Sequence, residues 1–430
     1  MIETIIRPTQ NLTGTLIAPS SKAYSQRMLI SSLLSNGRSI ISNPLFSEDT
    51  EATLRAVKSL GADVNVADNS WIVDGSLPLI GKSKPIDCGE SGATLRFILP
   101  VCALAIGSST LTFAKSLEKR PILPLLKSLK ELGVKTEKNK NGKKSEIVVH
   151  GGGINGGKTT IKGDVSSQFI SGLMFACPLA HLNTIITLKT PLESTGYVNM
   201  TREILQNHGV SISISEKFNQ LKIQSNQKYT KNDCKVPGDF SSAAFLLASA
   251  AITNSKITVK NLDSTTLQGD KAILTILSQM GVKLKILKDQ IIIEKRKGFL
   301  KPIDVDAREI PDLVPICSVL ACYSKGTSKI HDAHRLRYKE SDRLLSIYLE
   351  LRKMGADLSM DEDSLTVKGT CGLNGALIDP HNDHRIAMAC AVAALGAEGE
   401  TKILNSECVR KSYPSFFKDL KKIGAEIIGW

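Results

Sequence analysis

Nine residues in the last third of the chain, Arg335-Leu336-Arg337-Tyr338-Lys339-Glu340-Ser341-Asp342-Arg343, set cations and carboxylic acids side by side. A charge run of this kind is ordinarily a solvated helix face. If helical, it would put Lys339 and Arg343 on one face at i, i+4 and bring Glu340 to Arg343 at i, i+3. Further polar segments recur along the chain, and together they supply the cations, hydroxyls and carboxylates that a phosphate-handling site needs. In residues 19–27, serines precede a helix whose first turn carries Lys22, with Arg27 a turn and a residue later. A cation at a helix N-terminus is unfavourable until an anion arrives, which makes Lys22 a candidate anion ligand. Residues 87–96 form a Gly-rich turn in which Gly92 lets the backbone approach a ligand closely. Arg120 stands before a proline and can clamp a substrate. Ser166, Ser167 and Gln168 offer hydroxyl and amide donors, as do Ser194 and Tyr197 shortly after. Asp312 lies among apolar neighbours, where burial would raise its pKa and suit a general base. Arg385 and Lys411 lie in two later segments. Each segment also has a plain structural reading, as an N-cap or a chain reversal. His381 and His384 flank Asp383 with metal-like spacing, but no distant ligand set accompanies them, so a metal is not expected.

These residues are positioned by a repeat. An apolar segment closed by glycine and followed by alternating residues recurs at Gly61, Gly133, Gly209, Gly281, Gly355 and Gly424, at intervals of 72, 76, 72, 74 and 69 residues. Each reads as an amphipathic helix with a glycine C-cap, then a strand. A second helix lies upstream of each, opening near Ser20, Ser91, Ser166, Ser241, Asp312 and His384. The fold expected is α/β, with six copies of one unit in two lobes of three. Their buried helices would present N-termini to an interdomain cleft, a natural anion site. Gly14, Pro19, Pro237 and Gly238 punctuate the chain, so hinges are expected near 14–20 and 235–240. Residues 20–237 then form an inserted lobe, and 1–19 with 238–430 form the other.

Composition narrows the function classes. The 430 residues are 42% hydrophobic, ample for two cores, and no run of about 18 apolar residues could span a membrane. The N-terminus lacks a signal-peptide pattern, and nine scattered cysteines suit a reducing compartment, so a cytoplasmic protein is expected. The net charge of +13 raises the question of nucleic acid, but aromatics are only 5% and none interleaves with the lysines of residues 135–144, which read as a hairpin tip at Asn141-Gly142. Anionic small molecules fit the charge at least as well, with no nucleic-acid or membrane partner, and the chain is expected to act as a monomer.

Taken in order, the segments SSKAYSQR, GESGATLR, KRPILPLLKSLKELG, GDVSSQF, STGY, PDLVP, RYKESDR, NDHRIAMA and KSYPSFF resemble the 5-enolpyruvylshikimate-3-phosphate (EPSP) synthases, from about residue 8 to the end. The resemblance implies six βαβαββ units in two closing lobes. It also implies transfer of the enolpyruvyl group of phosphoenolpyruvate to the 5-hydroxyl of shikimate 3-phosphate through a tetrahedral intermediate, in the shikimate pathway to aromatic amino acids. By motif, Lys22, Gly92, Arg120, Gln168, Arg343, Arg385 and Lys411 would hold phosphoenolpyruvate. Lys22, Arg27, Ser166, Ser167, Gln168, Ser194, Tyr197, Asp312 and Lys339 would hold shikimate 3-phosphate. Glu340 would be the proton donor to the methylene carbon and Asp312 the base, with Lys22 sharing proton transfer. The chain departs from the family pattern at Ala23, Ala93, Glu90 and Arg335. Two rivals carry less weight. The related transferase acting on UDP-N-acetylglucosamine has a cysteine shortly before the Arg-Pro pair, and residues 113–119 contain none. An RNA-binding repeat protein would need an aromatic platform.

Overall fold

The computed structural model describes residues 2–81, 84–141, 144–295 and 298–430. The chain divides into two compact units, Ser20–Val236 and Met1–Pro19 with Pro237–Trp430. Among the described residues, each contains three four-stranded sheets. One sheet shows the shared plan: Ile86–Asp87 pairs in parallel with Ser108–Phe113, which pairs antiparallel with Lys144–His150, which in turn pairs with Thr136–Asn141. The parallel pair is bridged by a buried helix, Gly92–Cys102, and the sheet is covered by a second, amphipathic helix, Leu123–Glu131. The glycines that close the repeats, Gly61, Gly133, Gly209, Gly281, Gly355 and Gly424, all have positive φ, the left-handed turn that a helix C-terminus favours in glycine. In the 136–150 hairpin Asn141 faces Lys144. The turn expected at Asn141-Gly142 includes residues 142–143, which lie outside the described residues.

The repeat closes on itself in a way its glycine spacing does not reveal. The sheet of the sixth copy lacks a fourth strand of its own, and Thr4–Ile6 fills that place between Thr401–Ile403 and Ile427–Ile428. Thr13–Ile17 pairs in parallel with Lys256–Lys260, and Cys234–Lys235 in parallel with Arg38–Ser42. In each unit, therefore, one sheet takes its leading strand from a part of the chain remote in sequence.

The core of the second unit is a trio of helices, Phe240–Ile252, Val314–Cys322 and His384–Leu395, in mutual contact and buried along their whole length. Beyond their first turns their sequences are apolar or small on every side, with alanine most frequent in the first and third, so they lack an outward polar face and pack closely. Their N-termini lie at one end of the unit. Asp239 caps the first and Asp383 the third, and Asp312 lies in the turn that opens the second. Serines 241 and 242 were expected to open the first helix; instead Asp239 accepts from both of their backbone amides, at 2.8 and 3.4 Å. A carboxylate outcompetes a hydroxyl for that dipole. The corresponding helices of the other unit, Lys22–Leu33, Gly92–Cys102 and Ser167–Ala176, are capped by Ser21, Ser91 and Ser166.

Candidate functional site

In the unit formed by Ser20–Val236, candidate residues collect at the serine-capped helix ends. Lys22 is the first helical residue, and its ammonium lies 2.8 Å from Asp49 Oδ2. The anion that makes a lysine tolerable there is thus supplied by the protein itself. Nothing in the sequence singled out Asp49, which sits in the first turn of the Glu48–Ser59 helix as an ordinary dipole-matching acid. Arg27 is buried; its Nε donates to Thr201 Oγ1 at 2.8 Å and its Nη1 to Ala23 O at 3.0 Å. Its guanidinium faces the rings of Phe97 and Tyr197 at 4.8 and 5.6 Å. Burial brings its pKa down to about 10, with Tyr197 and Tyr24 opposing, so it stays charged at neutral pH.

Gly92 and Arg120 come together. A Cβ on Gly92 would lie 2.9 Å from Arg120 Nη1 and 3.1 Å from its Cζ, so the guanidinium rests on the bare backbone at the helix start. Gln168 and Ser166 are gathered by Arg96, which was not singled out: its Nη1 donates to Gln168 Oε1 at 2.8 Å and to Ser166 Oγ at 3.4 Å. Arg96 Nη2 donates to Pro121 O at 3.1 Å, so one buried arginine ties the Arg120 turn to the Ser166 turn. Ser166 caps the helix by accepting from Gln168 N at 3.3 Å, and Ser167, its first residue, is buried beside it. Ser194 is buried in the left-handed region at φ 59°, a conformation that costs a non-glycine residue about 1 kcal/mol and is common at ligand clamps. Tyr197 is half-buried one turn later.

In the other unit the cations meet carboxylates. Arg343, 1% exposed, donates Nη1 to Asp312 Oδ1 at 2.8 Å, Nε to Asp383 Oδ2 at 2.9 Å, and Nη2 to Glu340 Oε2. The Glu340 contact does not come from a helix. Residues 339–342 are irregular, and Asp342 caps a helix that starts only at Arg343, so the shared helical face expected for Lys339 and Arg343 is not formed. What unites them is Asp312, which accepts from Lys339 Nζ at 3.3 Å and from Arg385 Nη2 at 3.2 Å. Lys411 Nζ donates to Asn382 O at 2.8 Å, next to the Asp383 cap. Arg335 is buried and donates to Arg308 O.

The electrostatics overturn one expectation. Burial alone would raise Asp312, but the guanidinium of Arg385, the ammonium of Lys339 and the guanidinium of Arg343 outweigh it and the opposing Glu340. Asp312 is held well below the ordinary carboxylate range, so before ligand arrives it is a firmly ionised acceptor rather than a poised base. Lys339 is brought down to about 8 by burial, with Arg343 and Arg335 adding to the effect and Asp312 opposing it. Asp270, fully buried and bonded to Ser241 Oγ, is pushed up to about 7 by burial and by Asp312, against Arg385 and the serine bond. Among the described residues, Asp306, His331 and Asp332 bring possible ligand atoms within 4.8 Å of one another. Arg308 already bridges that group by donating to Asp306, with Asp332 at 3.9 Å, so its cation is an arginine. His381 Nε2 lies 2.9 Å from Glu350 Oε1, while the Asp383 carboxylate meets Arg343, Ser341 and the Arg385 amide, with His384 Nδ1 at 3.9 Å.

The family model for EPSP synthase (3-phosphoshikimate 1-carboxyvinyltransferase) matches residues 6–420. The chain is 40% identical to the 3-phosphoshikimate 1-carboxyvinyltransferase of Methanocaldococcus jannaschii, with 98% of each chain covered. It is 42% identical to that of Clostridium novyi, with 97% of each covered. The EPSP synthase of Acinetobacter baumannii superposes with a TM-score of 0.83 at 24% identity over 99% of both chains. The enolpyruvyl transferase NikO of Streptomyces tendae does so at 0.80 and 17% identity, covering 99% of this chain and 98% of its own.

Proposed function

Because the chain belongs to the EPSP synthase family, we propose that it transfers the enolpyruvyl group of phosphoenolpyruvate to the 5-hydroxyl of shikimate 3-phosphate, releasing phosphate. The observation that carries this reading is the Asp312 cluster, where one carboxylate is shared by Lys339, Arg343 and Arg385 beside Glu340. Three cations on one carboxylate is an arrangement that two anionic substrates can take over.

In this reading Arg343, Arg385 and Lys411, with Lys22, Gly92, Arg120 and Gln168, bind phosphoenolpyruvate, the arginine forks pairing with its carboxylate and phosphate. Lys22, Arg27, Ser166, Ser167, Gln168, Ser194, Tyr197, Asp312 and Lys339 bind shikimate 3-phosphate. Serine rather than aspartate at the helix caps of the Ser20–Val236 unit suits this division, since a phosphate brings its own negative charge to those amides. Chemistry begins as Glu340 gives a proton to the methylene carbon while the 5-oxygen bonds to the neighbouring carbon and loses its proton to Asp312, Lys22 sharing the transfer. Phosphate then leaves with its bridging oxygen, taking the proton from Asp312, and the Glu340 carboxylate takes back a methyl proton to restore the double bond. Substrate anions arriving at Arg343 and Arg385 draw positive charge away from Asp312, so its basicity rises upon binding. The reaction is proposed to proceed in the cytoplasm, on a monomer, without metal or organic cofactor.

The test is phosphate release from phosphoenolpyruvate with shikimate 3-phosphate or UDP-N-acetylglucosamine as acceptor. Release with the first alone, reduced about 100-fold or more in Glu340→Gln, is expected for loss of a general acid. Release with the sugar nucleotide instead would overturn the substrate assignment, and an unimpaired Glu340→Gln the assignment of the acid.

A further inference from the structure

A groove of about 920 Å³ lies on the Ser20–Val236 unit, lined by none of the residues assigned above. Its floor is apolar, formed by Leu123, Leu126, Val134 and Ile161, and six lysines rim it: Lys127, Lys130, Lys135, Lys138, Lys162 and Lys189. Leu123 is 67% exposed, an unusual setting for a leucine at the head of a helix. Acids compensate the rim only in part. Lys135 pairs with Glu137 at 2.9 Å, while Glu131, which faces Lys127 and Lys189, already accepts from Thr159 Oγ1 at 2.7 Å and Thr160 N at 3.0 Å. Among the described residues, Lys127, Lys130, Lys162 and Lys189 form no ion pair.

Six like charges around an apolar floor repel one another, and the helix, strand and loops that bear them gain nothing from that crowding within this chain. The arrangement is complementary to a ligand that carries both clustered negative charge and a flat apolar body. The volume lies in the range of small-ligand pockets. A long acidic peptide would need a longer channel, and a free phosphate would leave the leucines exposed.

We propose that this groove is an accessory binding site for a nucleoside polyphosphate, the lysine rim taking the phosphates and Leu123, Leu126 and Ile161 the base. It does not depend on the reaction proposed above. The groove does border the site's supporting loops, because Leu123 follows Arg120, Lys162 precedes Ser166 and Lys189 precedes Ser194 within a few residues.

Calorimetric titration of the full chain with ATP, without divalent metal and with saturating shikimate 3-phosphate present, tests this directly. Binding of ATP is expected, at least about tenfold tighter than inorganic triphosphate or adenosine alone, and weakened about tenfold or more in Lys127→Glu/Lys130→Glu, as loss of charge-assisted contacts requires. These two lysines are exposed, so the variant's melting temperature should match that of the unaltered chain. The proposal is overturned if ATP does not bind, if triphosphate binds equally well, if shikimate 3-phosphate displaces ATP, or if the double variant binds unchanged.

Discussion

Lys339 is the group whose charge state the cluster sets most sharply near working pH. Burial and the neighbouring arginines bring its pKa from 10.5 to about 8, even with Asp312 opposing. That drop corresponds to about 3 kcal/mol favouring the neutral amine in the folded, ligand-free protein. Between pH 8 and 10.5 the unfolded chain holds a proton on this lysine that the folded chain has shed, so this group's contribution to stability rises with pH across the window. A substrate phosphate reverses the preference, because an adjacent dianion stabilises the ammonium. Binding at pH 8 should therefore take up about half a proton, and affinity for shikimate 3-phosphate should fall up to about tenfold per pH unit above 8. Calorimetry in buffers of different ionisation enthalpy reads the proton uptake directly. Lys339→Arg, always charged, should bind without this uptake and with a flat affinity between pH 8 and 9. Absence of uptake in the unaltered chain, or its persistence in Lys339→Arg, would refute the reasoning.

Asp270 predicts the opposite slope. Its folded pKa, raised to about 7, means that the stability of the protonated form is fully present below about 4 and is lost as pH rises through 7, so Asp270→Asn should raise the melting temperature at pH 8 and leave it nearly unchanged at pH 4.5. Matched melting curves at the two pH values check this. Gly92→Ala sets a Cβ 2.9 Å from the tip of a flexible arginine, so the protein should fold normally while KM for phosphoenolpyruvate rises about tenfold, as expected when a clamp is displaced. Steady-state kinetics beside a melting curve separate the two effects. Asp383→Ala strips a fully buried partner from Arg343 and uncaps the His384–Leu395 helix, and should cost about 3–5 kcal/mol in denaturant unfolding; Asp383→Asn, which keeps the cap, should cost measurably less.

The sequence made legible what recurs. Glycine C-caps and apolar helices repeated at nearly constant intervals announce a repeated α/β unit, because every copy must solve the same turn and packing problem. Cations in polar segments beside helix starts were visible for the same reason. Punctuation at Gly14, Pro19, Pro237 and Gly238 joins residues 1–19 to residues 238–430, but the strand places they take were not legible, because Thr4–Ile6 is three residues long and carries no mark of its partners hundreds of positions away. Asp49 and Arg96 escaped for a different reason. An acid in a first helical turn and an arginine within a helix are each locally ordinary, and only tertiary packing reveals that one, on the second helix of the same repeat, neutralises Lys22, while the other ties Gln168 of the next repeat to Pro121.

The pKa of Asp312 shows where composition-level reasoning reverses sign. Apolar neighbours in sequence correctly indicate burial, and burial correctly raises a lone carboxyl. Yet Lys339, Arg343 and Arg385 reach the same oxygens from segments 27, 31 and 73 residues away. Three nearby cations outweigh the desolvation of one anion, because each acts through a short path of low dielectric. A base that must first be ionised, then freed of its cations, is one that works only when other anions have arrived to occupy them. The chemistry is thereby coupled to the presence of both substrates, since an empty cluster leaves Asp312 neutralised by the protein's own cations.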